Sequence, residues 1–245
     1  MAFSCREVID IHAHILPGID DGPAALEQSL ALGRYYARLG IARVICTSHF
    51  IPGTAWAASR EIVLEKMAAV QDCFDSNAVD VTLLPGMEIA FHRKLVERLE
   101  HGQLLSLAGS SRFLVEPSFN DGVDELLDTL EILTGRGYGI ILAHPERIPA
   151  IQEMAEAVAG FVLGHGVEIQ LNAGSLLGRF GDDSRRTALR FIDRGCVQYL
   201  GSDAHGAEAR RPPDAGEWLE LERIAGSDRL RQWCCSNPAG LVNGE

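Results

Sequence analysis

Seven short apolar runs, each followed by a stretch with helical patterning, constrain this chain more than any other feature. The runs cover residues 8–11, 43–46, 81–84, 113–115, 140–142, 167–171 and 197–200. Most are almost continuously hydrophobic, as a parallel strand buried on both faces requires. Helices are expected at 23–39, 59–74, 121–136, 149–163 and 182–194, with a shorter one at 93–101. The first opens near Pro23 and closes at Gly40, and Gly137, Gly164 and Gly195 stand just past three later ends. A further helical stretch, 215–235, follows Pro212-Pro213. Seven β-then-α units close into a barrel or spread into a doubly wound sheet. Periodicity alone does not separate these two, but the placement of polar residues does.

Five of the eight histidines, His12, His14, His49, His144 and His205, stand at or just beyond the carboxyl end of an expected strand. So do Asp21, Glu88, Glu116 and Asp203. Polar candidates therefore follow nearly every strand and do not gather at one switch point, which favours a distorted (β/α)7 TIM-like barrel with its site at the strand ends. His12 and His14 are two apart on an extended segment and project to the same side. Nine such side chains in one bowl need compensating positive charge, and nine ligands are too many for one ion, so two or three divalent metal ions are implied. His and carboxylate mixtures accept manganese, iron, zinc or cobalt.

The remaining candidates have plainer explanations. His92, His101 and His165 fall in helical or turn segments and are expected on the surface. Glu146 reads as a solvated loop charge, and Asp20 with Asp21 as caps for the first helix. Trp56 and Phe50 either line the rim or pack against the barrel top.

A length of 245 residues without linker, repeat or low-complexity block fits one domain spanning 1–245. The formal net charge of −12 argues against a nucleic-acid partner and against docking on an anionic membrane. No apolar run reaches the ~18 residues that span a bilayer, and the first eight residues hold no signal core. The six cysteines (Cys5, Cys46, Cys73, Cys196, Cys234 and Cys235) show no C-x-x-C spacing. They are expected to be reduced thiols of a cytoplasmic protein. None has an arginine six residues on, so the Cys-x5-Arg phosphatase loop is absent. Neither G-x-x-x-x-G-K-[ST] nor G-x-G-x-x-G occurs.

Several strings resemble the PHP (polymerase and histidinol phosphatase) superfamily, most closely its capsule-associated, manganese-dependent bacterial tyrosine phosphatases (the CpsB/YwqE type). They are D-I-H-A-H-I-L-P-G-I-D-D-G at 10–22, L-P-G-M-E-I at 84–89 and A-H-P-E-R at 143–147. A-G-S-L-L-G-R-F-G at 173–181 and S-D-A-H at 202–205 complete the set. The resemblance implies a trinuclear manganese site held by His12, His14, Asp21, His49, Glu88, Glu116, His144, Asp203 and His205. It implies phosphate contacts from Arg147 and from Arg211, with Arg210 competing for that second place. Its implied partner is the phosphotyrosine tail of a bacterial tyrosine autokinase in capsule or exopolysaccharide biosynthesis. The chain departs from the family at Thr47-Ser48-His49-Phe50, where T-P-H-H is usual, and at Val115-Glu116-Pro117-Ser118, where I-E-F-P is usual.

The chemistry expected is phosphomonoester hydrolysis by water acidified on the metals, with no covalent enzyme intermediate and with His205 or Glu146 as the candidate acid. A small-molecule phosphatase of the histidinol-phosphate kind would use the same barrel. A C–N-cleaving amidohydrolase would want a lysine at a strand end, yet Lys66 and Lys94 fall in helical segments. A metal-binding module without activity is the third alternative.

Overall fold

The structure, a computed structural model, describes residues 7–119 and 122–243. Cys5, most of the stretch 1–8, and Asp121 at the start of one expected helix lie outside the described residues.

The strands are β1 (Ile9–Ala13), β2 (Arg43–Cys46), β3 (His49–Phe50), β4 (Thr82–Pro85), β5 (Glu88–Ala90), β6 (Arg112–Glu116), β7 (Gly139–Ala143), β8 (Glu168–Asn172) and β9 (Val197–Gly201). They pair in parallel in two sheets, β1-β2-β4 and β3-β5-β6-β7-β8-β9. β2 and β3 are two stretches of one chain passage, interrupted at Thr47-Ser48, and β4 and β5 are likewise interrupted at Gly86-Met87. Joined so, the strands form a seven-membered ring, the distorted (β/α)7 barrel expected from the sequence. At Gly86 a Cβ would lie 2.7 Å from Ile45 Cγ2, so this close approach of neighbouring passages needs glycine.

The seam between first and last strands closes through a parallel bridge, Ala13 to Ala204. Asp203 N–H donates to the His12 carbonyl and His14 N–H to the Ala204 carbonyl, each at 2.8 Å. Asp10 completes the seam. Its Oδ1 accepts from Ser202 N–H at 3.1 Å and its Oδ2 from the Tyr36 hydroxyl at 2.7 Å. Both side chains are buried, so each hydrogen bond is needed to offset desolvation.

Helices α1 (Leu26–Leu39), α2 (Arg60–Ser76), α3 (Leu95–Glu100) and α4 (Val123–Gly135) cover the ring. Ser59 caps α2 by accepting from Ile62 N–H, and Gly40 ends α1 with φ 77°. Val123, Leu126, Leu130 and Leu133 of α4 are buried, each apolar side chain contributing roughly 1.5–3 kcal/mol. The helix expected at 149–163 is broken at Met154 into α5 (Pro149–Glu153) and α6 (Ala155–His165). Its stop is Gly166, at φ 68°, and Gly164 lies inside α6. Burial of Val158, Ala159 and Val162 carries the helix past that residue. α7 (Ala173–Leu176) and α8 (Gly181–Asp193) follow β8. The single C-terminal helix expected is several: α9 (Ala215–Ala225), α10 (Ser227–Arg231), a π turn at Gln232–Ser236 and α11 (Asn237–Asn243). Gly226, at φ 85°, makes the first break. Leu241 of α11 packs into a small cluster with Ile9, Ile11, Ile45, Leu114, Ile141 and Tyr199, drawn from five strands.

Candidate metal centre

His12 is the penultimate residue of β1, one before the bridge at Ala13, and His14 follows the strand. Their Nε2 atoms face each other at 3.3 Å. The other candidates arrive from the remaining strand ends. His49 and Glu88 open β3 and β5 and sit side by side in the ladder, Glu116 closes β6, and His144 follows β7. Asp203 and His205 follow β9, and Asp21 comes from the loop before α1.

The nine side chains form four overlapping groups. Each group has ligand-type atoms within 4.8 Å of one another: His14, Asp21, His49 and His205; His12, Glu88 and His144; His12, His14 and Asp203; His49, Glu88 and Glu116. Glu88 stands at the middle. Its Oε1 is 2.8 Å from His144 Nε2 and 3.2 Å from His12 Nε2, and its Oε2 is 3.0 Å from His49 Nδ1. Among the described residues, three of the five non-glycine positions with φ above zero, His144, Asp203 and Arg210, belong to or face this site. Local backbone strain is held there by the surrounding ladder.

The imidazoles are oriented from behind. His12 Nδ1–H donates to Gln170 Oε1 at 2.8 Å, His14 Nδ1–H to Asp20 Oδ2 at 2.8 Å, and His205 Nδ1–H to the Asp203 carbonyl at 3.0 Å. Each bond sets the tautomer that turns an Nε2 lone pair toward the carboxylates. At Gly201 a Cβ would lie 2.8 Å from His12 Cβ and 2.9 Å from Gln170 Nε2, so glycine there leaves room for this pair.

Electrostatics follow from that crowding. Burial pushes Glu88 up, but the charges of His12 and His49 and hydrogen bonds from His12 and His14 hold it well below the usual carboxylate range. Burial likewise opposes ionisation of Asp203 and Asp21, and in both the neighbouring imidazoles win and lower the pKa. Glu116 is pushed up to about 8 by burial and then by the Glu88 charge. His14 is buried, yet Asp20 and Glu88 raise it well above its ordinary value. Burial lowers His144 and His205. Inward lone pairs on neighbouring rings, buried ionised carboxylates between them, and the buried atoms Glu88 Oε2 and His49 Nδ1, 3.0 Å apart without an aligned hydrogen bond, are what a set of divalent cations would satisfy. The donor set fits such ions.

Several expectations need correction. Glu146 is fully buried, not a solvated loop charge. Its Oε1 accepts from Asn172 N–H at 2.9 Å, and burial pushes its pKa up to about 7. Asp20 caps no helix. It binds His14 and accepts from His49 N–H at 3.0 Å. His92 is half-buried, edge-on to Phe50, whereas His101 and His165 are exposed. Phe50 is buried away from the rim, while Trp56 stacks on His49 at 5.5 Å. Arg147 Nη1 donates to Asp203 at 2.7 Å, with its guanidinium 4.2 Å over the Phe180 ring. Of the competing pair, Arg210 faces the centre. It donates to both Asp203 oxygens at 2.9 and 2.8 Å and to Asp21 at 3.3 Å. Arg211 instead donates to Glu217, Asp214 and the Pro212 carbonyl at the start of α9. Gln170 and Asn172 escaped the sequence reading. Asn172 Nδ2 donates to Asp203 at 2.9 Å, and only the alternation of polar residues with Ile169 and Leu171 in E-I-Q-L-N hinted at either. Lys66 lies in α2 and Lys94 at the N-terminus of α3, so neither supplies the bridging group of an amidohydrolase.

A seven-stranded parallel barrel with this donor set defines the class: a metallohydrolase of the PHP type. The chain belongs to the CpsB/CapC family of capsular polysaccharide synthesis, whose model matches residues 8–243. It is 30% identical over 231 residues to tyrosine-protein phosphatase YwqE of Bacillus subtilis (strain 168), covering 90% of this chain and 86% of that one. It is 26% identical over 240 residues to tyrosine-protein phosphatase CpsB of Streptococcus agalactiae, covering 96% and 98%. A structure from work on YwqE of Bacillus subtilis and CpsB of Streptococcus pneumoniae, metal-dependent tyrosine phosphatases, superposes with a TM-score of 0.88 at 27% identity. That match covers 97% of this chain and 95% of the other. The histidinol phosphatase HisK of Listeria monocytogenes, itself putative in description, shares the fold at TM-score 0.53 and 12% identity, over 82% of this chain and 96% of that one.

Proposed function

We propose that this chain is a metal-dependent protein-tyrosine phosphatase. Its substrate is the phosphotyrosine tail of a bacterial tyrosine autokinase in capsule or exopolysaccharide synthesis, in the cytoplasm, and residues 8–243 act as one domain. The observation that carries this is the convergence of His12, His14, Asp21, His49, Glu88, Glu116, His144, Asp203 and His205 beside Arg147 and Arg210. The names of the relatives supply the substrate class.

These nine residues would hold two or three divalent ions, manganese first, with iron, zinc or cobalt as alternatives. When bound, the ions supply Lewis acidity and an acidified water as nucleophile. Arg147 and Arg210 both contact Asp203 and keep further N–H groups for phosphate oxygens, in the forked geometry that suits an anion. Phe180 supports the Arg147 guanidinium from below. A cavity of about 360 Å³ beside Asp203, lined by Asn172, Arg179, Phe180 and Arg210 among others, receives the phenyl ring of the substrate. A phenolate leaving group has a pKa near 10, so strong general-acid help is unnecessary, and His205 acts first as a ligand. Cys46 is buried and its thiol is pushed up by that burial, so it offers no thiolate nucleophile.

The test is turnover by chelator-treated protein reloaded with manganese, on a phosphotyrosyl peptide, a phosphoseryl peptide and histidinol phosphate. Metal-restored activity with the phosphotyrosyl peptide preferred supports the proposal. Preference for histidinol phosphate, or activity indifferent to chelation, overturns it.

A further inference from the structure

A second cavity, about 540 Å³, opens on the far side of the loop that follows β3. Pro52, Gly53 and Ala57 of that loop line it, while Trp56 of the same loop stacks on His49 in the metal centre. The opposite wall carries Arg60, Arg98 and His101, with Glu61 the carboxylate among the lining residues. In a chain of net charge −12, this is a locally cationic hollow.

Its arginines are incompletely satisfied. Arg98 donates from Nη1 to Gln103 Oε1 at 3.0 Å and lies 5.3 Å from the centroid of the Phe50 ring. Its Nε is buried without an acceptor, and among the described residues no carboxylate pairs with it. His92 lies beside it, its pKa lowered by burial and then by the Arg98 charge, and an imidazole cannot neutralise a guanidinium. Arg60 donates to the Gly102 carbonyl at 2.6 Å and has Glu61 only at 3.9 Å. Arg98, held by a neutral acceptor, beside Arg60, whose pairing with Glu61 is loose, leaves the hollow net cationic and makes it a receptor for an anion.

Resting on the phosphatase proposal above, we infer that this hollow is an exosite for an anionic side chain of the substrate peptide. It would engage a residue flanking the phosphotyrosine that reaches across the loop. Trp56, which stacks on His49, and Ala57, which lines the hollow, are adjacent in the chain, so a peptide lying over this loop meets both the metal centre and the hollow. The exosite would offset the repulsion that the acidic protein otherwise exerts on an acidic peptide.

The experiment compares the manganese-loaded full chain on three substrates. These are a phosphotyrosyl peptide with an acidic residue stepped outward on either side, the same peptide with glutamine in its place, and a small aryl phosphate. Wild type should favour the acidic peptide at its best spacing by roughly threefold to tenfold, through KM. Arg98→Gln and Arg60→Gln should each shrink that preference and leave aryl phosphate turnover unchanged. If Arg98→Gln also depresses aryl phosphate turnover, the loss of its Phe50 packing is responsible, and the exposed Arg60→Gln decides. No preference in wild type, or a preference both variants keep, overturns the exosite alone. Absence of any phosphotyrosine turnover overturns the phosphatase proposal and the exosite with it.

Discussion

Gln170→Leu tests how the centre is organised. Gln170 and His12 are both fully buried, and the 2.8 Å contact from His12 Nδ1–H to Gln170 Oε1 is what keeps the proton off Nε2. Leucine matches the volume but cannot accept. Two responses are open to the histidine. It can keep its tautomer and bury an unsatisfied N–H, at a cost of about 1–3 kcal/mol. Or it can move the proton to Nε2 and withdraw the lone pair that would face a metal ion beside Glu88 and Asp203. Removing such a supporting acceptor weakens metal binding roughly 10–100-fold. Since a domain of this kind has about 5–15 kcal/mol of stability, the variant remains folded and the second effect is measurable. Isothermal titration of chelated protein with manganese, beside urea unfolding in chelator, reads both quantities. The expected result is weakened metal affinity with a modest stability loss, and a smaller loss for Gln170→Glu, which keeps an acceptor. A folded Gln170→Leu protein with wild-type manganese affinity would refute the tautomer reasoning.

Other outcomes follow from neighbouring residues. Glu146→Gln should remove a pH-dependent penalty. The folded pKa is raised from 4.5 to about 7, so the wild-type cost is absent below pH 4.5, grows as pH rises, and is complete above 7. The shift, 7 − 4.5 = 2.5, corresponds to roughly 3–4 kcal/mol at most. Urea unfolding in chelator at pH 5 and pH 8 should show the variant gaining on wild type at the higher pH, and an equal difference at both would contradict the burial account. Arg210→Ala should lower kcat/KM for phosphotyrosine about a hundredfold. Arg211→Ala should change it little and instead loosen the start of α9, which steady-state kinetics with thermal melts separates.

Much of this architecture was legible because its signals are local. Seven apolar runs, and histidines or carboxylates just beyond them, sit in short strings whose meaning depends on nearest neighbours. Residues that support the site were hidden for the opposite reason. Gln170 acts on His12 from 158 positions away and Asn172 on Asp203 from 31. Nothing in E-I-Q-L-N states which way those amides point. Glu146 looked solvated because it stands beside Arg147 in a polar string, and only the packing of β7 against β8 reveals that it is enclosed. Arg210 and Arg211 are adjacent, and the capping residues of α9, Asp214 and Glu217, decide between them by engaging Arg211. Helix ends were misplaced where tertiary burial overrode glycine, as in α6, or where a second glycine, Gly226, cut a continuous-looking run.

Anomalous diffraction at the manganese edge, from crystals grown with the metal, tests the central claim most directly. Peaks are predicted within coordination distance of His12, His14, His49, His144 and His205 together with Asp21, Glu88, Glu116 and Asp203. A map with no peak among these side chains, from protein that binds manganese elsewhere or not at all, would contradict the account.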